Sequence, residues 1–394
     1  MTAGQRGLLR DAIVVIGVSL VTFGLHHVGL LDRFETAGLD AFNVLRPARD
    51  STDLVVIGIQ EQDYAKPTLF NGTSPLDCKA VRRIIDAIAA GHPTVIGIDL
   101  DTSSGDFACL GAPAGRNASW PPIVWAQDAI WNPETREFSP QPVLRGALTP
   151  PGPPHATGIA VFPQEPDGVI RWYRRELPLA EGRYAASFPW SVVDTACRAA
   201  CAKCCAAVER YRRERKETPL PLRLNFAGER FTFAPLSVRL VLEAAEADPA
   251  GGGWSERGPL VGRIVLLGGH YRAARDSHVT PIGSMSGVQI VAQAVQSELG
   301  GGGIRMVNEG ISLALDIALG FLLVAIHRRL HDRVGLALLI SLGLFPILCL
   351  LASYVAFSTF GLWFNFAAVV TSVLIDQLYR RVIENQRKTA HAGI

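Results

Sequence analysis

A run of apolar residues near the N-terminus predicts the first membrane-spanning helix. Residues 12–31 contain no Asp, Glu, Lys or Arg and are bracketed by Asp11 and Asp32. At about 1.5 Å per residue, a helix of this length covers about 30 Å, the thickness of one hydrocarbon core. A cleaved signal peptide is the alternative, because Arg6 and Arg10 precede the run. Signal h-regions span only about 7–15 residues and end at a small-residue cleavage site. No such site follows here, so we predict an uncleaved span.

The C-terminal part of the chain predicts three further spans. Residues 335–375 are free of charged side chains, a run about twice as long as one span needs. We therefore expect a turn at 358–361. Before this run, residues 311–326 are apolar except for Asp316. The three predicted spans are 309–326, 335–357 and 361–378.

Basic residues flank the four predicted spans on one side of the membrane. They lie in 1–11 before the first span, in the loop 327–334 between the second and third, and in 379–394 after the fourth. Because short cytoplasmic flanks carry an excess of Lys and Arg, both termini are predicted to be cytoplasmic. Residues 32–308 are then predicted to lie outside the cytoplasm.

Between the first two spans, alternating strand and helix patterns predict an α/β domain. Residues 54–59 and 94–99 are rich in β-branched residues and suit buried strands. Residues 77–90 between them have apolar positions at helical spacing. A strand–helix–strand unit of this kind is expected to be parallel and right-handed. A third strand is predicted at 263–269 and a further helix at 287–299.

Two parts of this domain show weaker patterns. Residues 105–155 contain many Pro and Gly residues, which predict an insertion made of long loops. Residues 187–216 have helical periodicity and predict one long helix. Glycine runs at 251–253 and 300–303 predict flexible joints, the second just before the chain returns to the membrane.

The composition agrees with a chain that is part membrane protein and part ordinary domain. Of the 394 residues, 48% are hydrophobic and 19% are charged, and the mean hydropathy is +0.22. Soluble domains usually carry about 25% charged residues. Lys and Arg together number 38 and nearly balance 36 Asp and Glu. This balance argues against intrinsic disorder and against nucleic-acid binding, which needs a basic excess.

Three stretches of the sequence carry a family resemblance. The first is 39–47, just outside the first span, and the second combines 55–63 with 95–99. The third and most specific stretch consists of 262–268, Asp276, Thr280, Pro281 and 287–292. Together they resemble the type-two CHASE domain, an extracellular sensory module associated with cyclases and histidine kinases. The resemblance covers about residues 10–380.

The resemblance implies an α/β extracytoplasmic sensor domain plus four transmembrane α-helices, one before it and three after. It also implies a multi-pass protein of the bacterial inner membrane with a periplasmic domain, and a homodimer. Members often carry a cytoplasmic kinase or cyclase domain after the last helix, whereas this sequence reaches only Ile394. We therefore expect a separate cytoplasmic effector. Gln60 stands where the family often has Asp, and Pro75 is the remnant of a Trp-Pro segment, so we expect a different ligand.

Six of the seven cysteines lie in the predicted outer domain: Cys78, Cys109, Cys197, Cys201, Cys204 and Cys205. An even number in an oxidising compartment predicts disulfides. Cys197, Cys201 and Cys204 would also share one face of a continuous helix, where they could bind a soft metal such as Zn(II) or Cu(I). Buried free thiols are the third alternative, and the sequence leaves all three open. Cys349, in a predicted span, is expected to serve packing.

Acidic residues follow the predicted strands. They are Asp63, Asp99, Asp101 and Asp276. Ligands of open parallel sheets bind outside the carboxyl ends of the strands, so these four are the candidate ligand-binding residues. The alternative is that they cap helices and fix turns.

One carboxylate lies inside a predicted span. A charged side chain costs a few kcal/mol in hydrocarbon, so Asp316 should face the helix bundle or be protonated. His26 and His27 near the outer end of the first span lie at a compatible depth, and we predict an Asp316–His pair that couples the spans. The alternative is an interior hydrogen bond from Asp316 to Ser or to the backbone.

The sequence therefore predicts a membrane sensor or signal-transduction protein. Its outer domain is expected to detect an extracytoplasmic ligand or partner and to pass the change through the helices to the effector. A scaffold subunit of a membrane complex is the first alternative. A membrane-bound hydrolase is the second, disfavoured because Met285 occupies the nucleophile position of the nearest hydrolase-like motif. We predict no catalytic residue and no cofactor. The predicted partners are the lipid bilayer, the ligand and the effector.

Overall fold

The chain divides into two units. Asn43–Gly303 form one unit, which we call the outer domain, and Met1–Phe42 together with Ile304–Ile394 form the other, which we call the membrane unit. The computed structural model describes residues 3–46, 53–104, 106–111, 120–145, 147, 155–214, 221–226, 233–247, 254, 258–330 and 332–364.

The described helices, in chain order, are α1 (Ala3–His27), α2 (Asp32–Leu45), α3 (Glu61–Ala65), α4 (Cys78–Ala90), α5 (Phe188–Arg198), α6 (Ala202–Glu214), α7 (Val238–Ala247), α8 (Gly287–Leu299), α9 (Glu309–Arg329), α10 (Val334–Leu339) and α11 (Phe345–Phe360). Short 3₁₀ turns lie at Ala108–Leu110, Ala180–Gly182 and Arg272–Ala274.

The described strands are β1 (Leu54–Gln60), β2 (Val95–Asp99), β3 (Ile123–Gln127), β4 (Ala129–Asn132), β5 (Glu137–Pro140), β6 (Ala156–Ile159), β7 (Trp172–Tyr173), β8 (Glu176–Pro178), β9 (Tyr184–Ala186), β10 (Leu222–Arg223), β11 (Leu236–Ser237), β12 (Ile264–His270), β13 (Ser277–Thr280), β14 (Gly283–Ser286), β15 (Arg305–Met306) and β16 (Leu362–Trp363).

The outer domain is built on a six-stranded sheet in the order β11-β1-β12-β2-β3-β6, with every pair parallel. The three strands predicted from apolar runs are confirmed as β1, β2 and β12. The last of these lies between the other two, so that Val56 pairs with Leu266 and Leu266 with Gly97. As a result, the carboxyl ends of β1, β12 and β2 lie side by side.

Helices cover both faces of this sheet. On one face α4 and α7 pack their apolar sides, including Ile84, Ile88 and Val241, against the strands. On the other face α5, α6 and α8 do the same, with Val192 and Val291 fully or almost fully buried. Burying both faces explains why these strands are continuous apolar runs rather than alternating patterns.

The structure corrects two predictions for the middle of the domain. The region 105–155, predicted as long loops, contains the core strand β3, whose Ile123 and Val124 are fully buried. The predicted single helix over 187–216 is two helices, because α5 ends at Arg198 and α6 begins at Ala202. Ala200 in this break has a φ of 70°, a left-handed conformation that no α-helix contains.

Among its described residues, the membrane unit has three helices that are long and apolar enough to cross a membrane: Leu9–His27, Glu309–Arg329 and Gly335–Phe360. The first ends at His27 rather than at residue 31, since Gly29 turns the chain with a φ of +76°. The third continues to Phe360, where Gly361 adopts a left-handed cap. Residues 362–363 are in β16, and the rest of the predicted fourth span, 365–378, lies outside the described residues.

Within the third apolar helix, the segment Ile340–Leu344 is a π-helical turn. It directly precedes the start of α11, where Pro346 is the second residue. Proline has no N–H to donate, and its ring clashes with the carbonyl four residues earlier. The wider π turn lets the helix continue past this residue.

Candidate functional site

Two cavities open at the carboxyl edge of the central sheet. The larger, about 710 Å³, is lined by residues that follow β1 and β12 and by residues of β14. The smaller, about 280 Å³, is lined by residues that follow β2, β3 and β12. Gly269, Tyr271 and Asp276 line both cavities. We treat the two as one cleft with an acidic part and a basic part.

The acidic part is lined by four carboxylates, Asp99, Asp101, Asp128 and Asp276. Asp99 ends β2, and its carboxylate accepts no hydrogen bond from any residue that the structure describes. Burial raises the pKa of Asp99 to about 8; the Asp276 carboxylate adds to the rise, and the imidazole of His278 opposes it. Most Asp99 side chains are therefore protonated at neutral pH.

Asp276 is held more firmly than Asp99. Its Oδ2 accepts the backbone N–H of Gly287 at 2.9 Å, and its Oδ1 lies 3.0 Å from His278 Nε2. The hydrogen bond to Asp276 raises the pKa of His278; burial opposes this, and the charges of Asp276 and Asp99 support it. Asp276 thus joins the acidic part of the cleft to the first residue of α8.

Asp101 lies at the rim of the acidic part. Partial burial alone would raise its pKa, but hydrogen bonds from Ser103 and Ser104 outweigh this and leave the pKa lowered. The Ser103 backbone N–H donates to its Oδ1 at 2.8 Å, and the Ser104 hydroxyl donates to its Oδ2 at 2.9 Å. Asp101 therefore stays ionised and also fixes the turn after β2.

The basic part of the cleft contains two arginines. Arg272 and Arg275 are exposed, and both line the larger cavity. Neither guanidinium has an ion-pair or hydrogen-bond partner among the described residues. Two carboxylates also line this cavity, Asp276 and Glu61, and Glu61 accepts the backbone N–H of Arg272 at 2.8 Å. The lining continues with His270 and with the neutral polar side chains of Gln60, Gln62, Ser277, Ser284, Ser286 and Gln289. Guanidinium groups with free donors are well suited to carboxylate or phosphate groups.

A tyrosine forms the wall between the two parts. The Tyr271 ring stacks on Tyr64, with ring centroids 4.3 Å apart and an interplanar angle of 13°. Burial raises the pKa of Tyr271 to about 12, with smaller contributions from Tyr64 and Asp276. The ring is therefore a neutral, fixed wall at every physiological pH. The backbone passes close to the ring, since a Cβ on Gly269 would come within 3.3 Å of Tyr271 Cε1.

The fourth predicted ligand residue has a different position. Asp63 is almost completely buried, with 1% exposure, and lines neither cavity. Its carboxylate accepts the Gln60 N–H and the Ser237 hydroxyl, both at 3.0 Å. It therefore caps α3 and ties β11 to β1, as the structural alternative predicted. The structure thus brings Asp99, Asp101 and Asp276 together without Asp63.

Arg272, Arg275, Tyr271 and His278 were not predicted from the sequence. The available signal was their position directly after a predicted parallel strand, in the stretch 270–278. Ligand groups in open α/β sheets come from such loops, and attention to acidic residues alone missed the basic ones.

All six cysteines of the outer domain form disulfides: Cys78–Cys109, Cys197–Cys205 and Cys201–Cys204. The sequence left disulfides, a soft-metal site and buried free thiols open, and the structure shows disulfides. The shared helix face predicted for Cys197, Cys201 and Cys204 does not form, because the helix breaks between the first two. Cys349 in the membrane unit has no disulfide partner.

A buried ionic cluster lies at the far end of α8. Arg175 binds Glu298 through two hydrogen bonds, at 2.7 and 2.9 Å, and both side chains are almost completely buried. The guanidinium of Arg175 also lies over Trp190 and Tyr211, at 5.2 and 4.6 Å from the ring centroids. Arg210 donates to the backbone carbonyl of Glu298 at 2.7 Å. Within the described residues, the charges of this cluster are therefore held by contacts inside the protein.

Polar residues of the membrane unit form a second group. His26 Nδ1 lies 3.4 Å from Glu35 Oε2, and the Trp363 indole donates to Glu35 Oε1 at 3.1 Å. His26, Asp32 and Glu35 place ligand atoms within 4.8 Å of one another. Both carboxylate oxygens of Glu35 already have a partner, His26 for one and the Trp363 indole for the other, so we assign no metal.

Asp316 is buried, with 6% exposure, and lines a cavity of about 190 Å³ together with His26. The predicted coupling of these two residues remains a prediction. His27 stacks on Phe23 and makes no hydrogen bond or ion pair with Asp316.

Comparison with known proteins gives one match. The model of the CHASE2 domain matches residues 12–326, most of the chain. The chain belongs to the CHASE2 family. No curated protein and no solved structure matches it.

CHASE2 is a sensory domain family, so the resemblance read from the sequence is confirmed. The match runs from the first apolar helix to the second and includes the whole outer domain. The cleft therefore lies within the sensory part of a CHASE2 chain. The candidate ligand residues Asp99, Asp101 and Asp276 all fall inside the match.

Proposed function

We propose that this CHASE2 chain is a membrane sensor whose outer domain binds a small zwitterionic molecule in the cleft. The observation that carries the proposal is the division of one cleft into an acidic and a basic part on either side of Tyr271. A cationic group of the ligand, such as an ammonium, lies against Asp99 and Asp276. An anionic group, a carboxylate or a phosphate, lies against Arg272 and Arg275. A zwitterionic molecule carries both groups and can therefore bind both parts of the cleft at once.

The acidic part supplies the first step of recognition. A ligand ammonium takes the place of the proton on Asp99, and that proton leaves to solvent. The ammonium then separates two carboxylates that otherwise repel each other. Affinity is therefore expected to rise with pH up to about 8, the pKa of Asp99 in the free protein. The reason is that a smaller fraction of the Asp99 side chains then carries a proton that the ligand must displace.

The cleft is connected to the chain's exit from the domain through α8. Asp276 accepts the Gly287 N–H at the start of this helix, and Ser286 caps it. The helix has 13 residues, so its two ends are about 20 Å apart. Glycines 300–303 follow, and then the chain continues into α9. A ligand that draws Asp276 away from Gly287 changes how the start of α8 is held.

Signal transfer requires that the ligand bind two states of the domain with different affinity. We propose that one state holds α8 through Asp276 and that the other releases its first turn. In the proposed topology the outer domain is periplasmic, the three apolar helices and the predicted fourth span 361–378 cross the inner membrane of a bacterium, and both termini are cytoplasmic. The change reaches a cytoplasmic effector that is a separate protein. The chain itself performs no catalytic step in this proposal.

The test uses the full chain in lipid nanodiscs and zwitterions of increasing charge separation. Glycine, 4-aminobutyrate, 6-aminohexanoate, dialanine and trialanine form such a series. We expect at least one member to raise the thermal unfolding midpoint and to slow hydrogen exchange in α8. The Asp99→Asn variant should lose the response.

Glu209→Gln, an exposed change on α6, is the matched control and should keep the response. A series without any shift contradicts the proposed ligand class. A shift that survives in Asp99→Asn contradicts the proposed site.

A further inference from the structure

The outer domain also contains a pair of cysteines in the arrangement of a reactive disulfide. Cys201 and Cys204 are separated by Ala202 and Lys203 and are joined by a disulfide. Cys201 directly precedes α6, and Cys204 lies in the first turn of that helix. A Cys-x-x-Cys segment at a helix N-terminus is the placement in which thiols acquire a lowered pKa.

The two sulfurs differ in access. The Cys204 side chain is fully buried, whereas Cys201 is partly exposed. Ala202 and Lys203 between them are exposed, so neither residue covers the approach to Cys201 from this side. An incoming thiolate can therefore reach Cys201 Sγ, while Cys204 is shielded by the core between α5, α6 and α8.

The backbone is arranged to stabilise negative charge on the exposed sulfur. The N–H of Cys204 points at Cys201 Sγ, with the nitrogen 3.3 Å from the sulfur. The partial positive charge of the α6 N-terminus acts in the same direction. The neighbouring Lys203 is paired with Asp53 at 2.6 Å, so its charge is largely balanced. The backbone rather than a side-chain cation supplies the stabilisation.

The other two disulfides lack this arrangement. Cys78–Cys109 joins the start of α4 to a 3₁₀ turn and closes a separation of 31 residues. Cys197–Cys205 joins α5 to α6 across the break between them. This second bridge clamps the same corner as Cys201–Cys204, so the corner stays closed when the shorter disulfide opens.

We infer that Cys201–Cys204 is a thiol–disulfide exchange site whose reactant is a dithiol. A thiolate of the dithiol attacks Cys201 Sγ, the bond between the two cysteine sulfurs breaks, and Cys204 leaves with the electron pair and takes a proton from water. The second thiol of the reactant then attacks the mixed disulfide and releases Cys201. Overall, two electrons pass to the protein, which gains two thiols, and the dithiol becomes a disulfide.

The site is independent of the proposed ligand cleft, because none of its residues lines either cavity. The disulfide nevertheless lies at the start of α6, a helix that contacts α8. Arg210 of α6 donates to the Glu298 carbonyl near the end of α8. Opening the disulfide therefore changes how the first turn of α6 is held, and a later turn of the same helix contacts the end of α8.

The experiment measures the reduction of each disulfide in the full chain in nanodiscs. The protein is exposed to increasing dithiothreitol, thiols are alkylated with a light reagent and remaining disulfides with a heavy one, and peptides are quantified by mass spectrometry. We expect Cys201–Cys204 to be reduced at least tenfold faster than either other bridge. Reduction no faster than that of Cys197–Cys205 overturns the inference.

Two variants exclude simpler explanations. In Cys197→Ser/Cys205→Ser, exchange among the four neighbouring cysteines is removed, and the fast reduction should persist; its loss overturns the inference. In Cys204→Ser, the single thiol of Cys201 should be alkylated with a midpoint pH below about 8.5, the value of an ordinary thiol. A midpoint at or above that value also overturns the inference. The wild-type measurement decides the matter where a variant does not fold.

Discussion

The two ends of α8 hold charge in opposite ways. At its C-terminal end, Glu298 is fully buried and bound by the two donors of Arg175. At its N-terminal end, Asp276 faces Asp99 in an open cleft that also contains two arginines whose guanidinium groups no described residue binds. The difference shows which charges serve the fold and which are available to a ligand. A charge whose hydrogen bonds are complete within the protein has little to offer another molecule.

The largest expected effect concerns the C-terminal end. Glu298→Gln keeps the shape of the side chain but removes the charge that the carboxylate places against the buried Arg175 guanidinium. Breaking a buried pair in this way costs about 3–5 kcal/mol. We expect a loss of this size in the free energy of unfolding, measured by denaturant titration. Glu209→Gln on the exposed face of α6 should change it by less than about 0.5 kcal/mol.

The second effect separates two acids that both follow strands. Asp63→Ala removes the cap of α3 and leaves the Gln60 N–H and the Ser237 hydroxyl without their acceptor. A loss of about 1–3 kcal/mol in unfolding free energy is expected. Any ligand response at the cleft should survive, because Asp63 lines neither cavity. A variant that keeps its stability but loses the response would place Asp63 in the site after all.

The third effect, that of Asp99→Asn, is a gain in unfolding free energy, whereas the first two variants lose stability. The folded pKa of Asp99 lies near 8, above its unfolded value of about 3.9. Between these values the folded state binds the extra proton, so its stability falls as pH rises through the window. Asp99→Asn removes the ionisation.

Between pH 5 and pH 9 the variant should gain about 1–2 kcal/mol relative to wild type. This is less than the full shift in pKa implies, because solvent reaches the partly exposed carboxylate and weakens the effects of burial and of the Asp276 charge. If the unfolding free energies of the two proteins change with pH in the same way, the raised pKa does not belong to Asp99.

The smallest effect on stability is expected in the basic part of the cleft. Arg272→Gln/Arg275→Gln removes two exposed guanidinium groups that no described residue binds. Unfolding free energy should change by less than about 0.5 kcal/mol, while affinity for an anionic group should fall at least tenfold. Arg212→Gln, exposed on α6, is the matched control. A large loss of stability would assign these arginines to the fold rather than to the ligand.

Local patterns explain why parts of the fold follow from sequence. The strands at 54–60, 95–99 and 264–270 are apolar runs because both faces of the sheet are covered. The helix Cys78–Ala90 repeats its buried positions with helical spacing. The core strand Ile123–Gln127 was missed because two prolines precede it, yet these lie just outside the strand and cost it no hydrogen bond. The left-handed Ala200, which breaks the predicted long helix, has no local signal.

The candidate site was predicted in part for a related reason. A strand-end acid such as Asp99 is visible in a sequence, and so is Asp63. Which of them is satisfied depends on Ser237, which lies far away in sequence and reaches Asp63 only because β11 pairs with β1. Likewise, the acidic and basic parts share a cleft only because β12 inserts between β1 and β2. Such long-range pairings decide the site, and no local pattern carries them.

The central claim is that one cleft recognises opposite charges on one molecule. The most direct measurement is calorimetric titration of the nanodisc-bound chain at pH 8 with the best zwitterion of the series and with its N-acetylated and amidated forms. The account predicts saturable binding of the zwitterion and at least tenfold weaker binding of both modified forms. Asp99→Asn should lose the preference for the free ammonium, and Arg272→Gln/Arg275→Gln the preference for the free carboxylate. Equal binding of all three forms, or no binding by any, would contradict it.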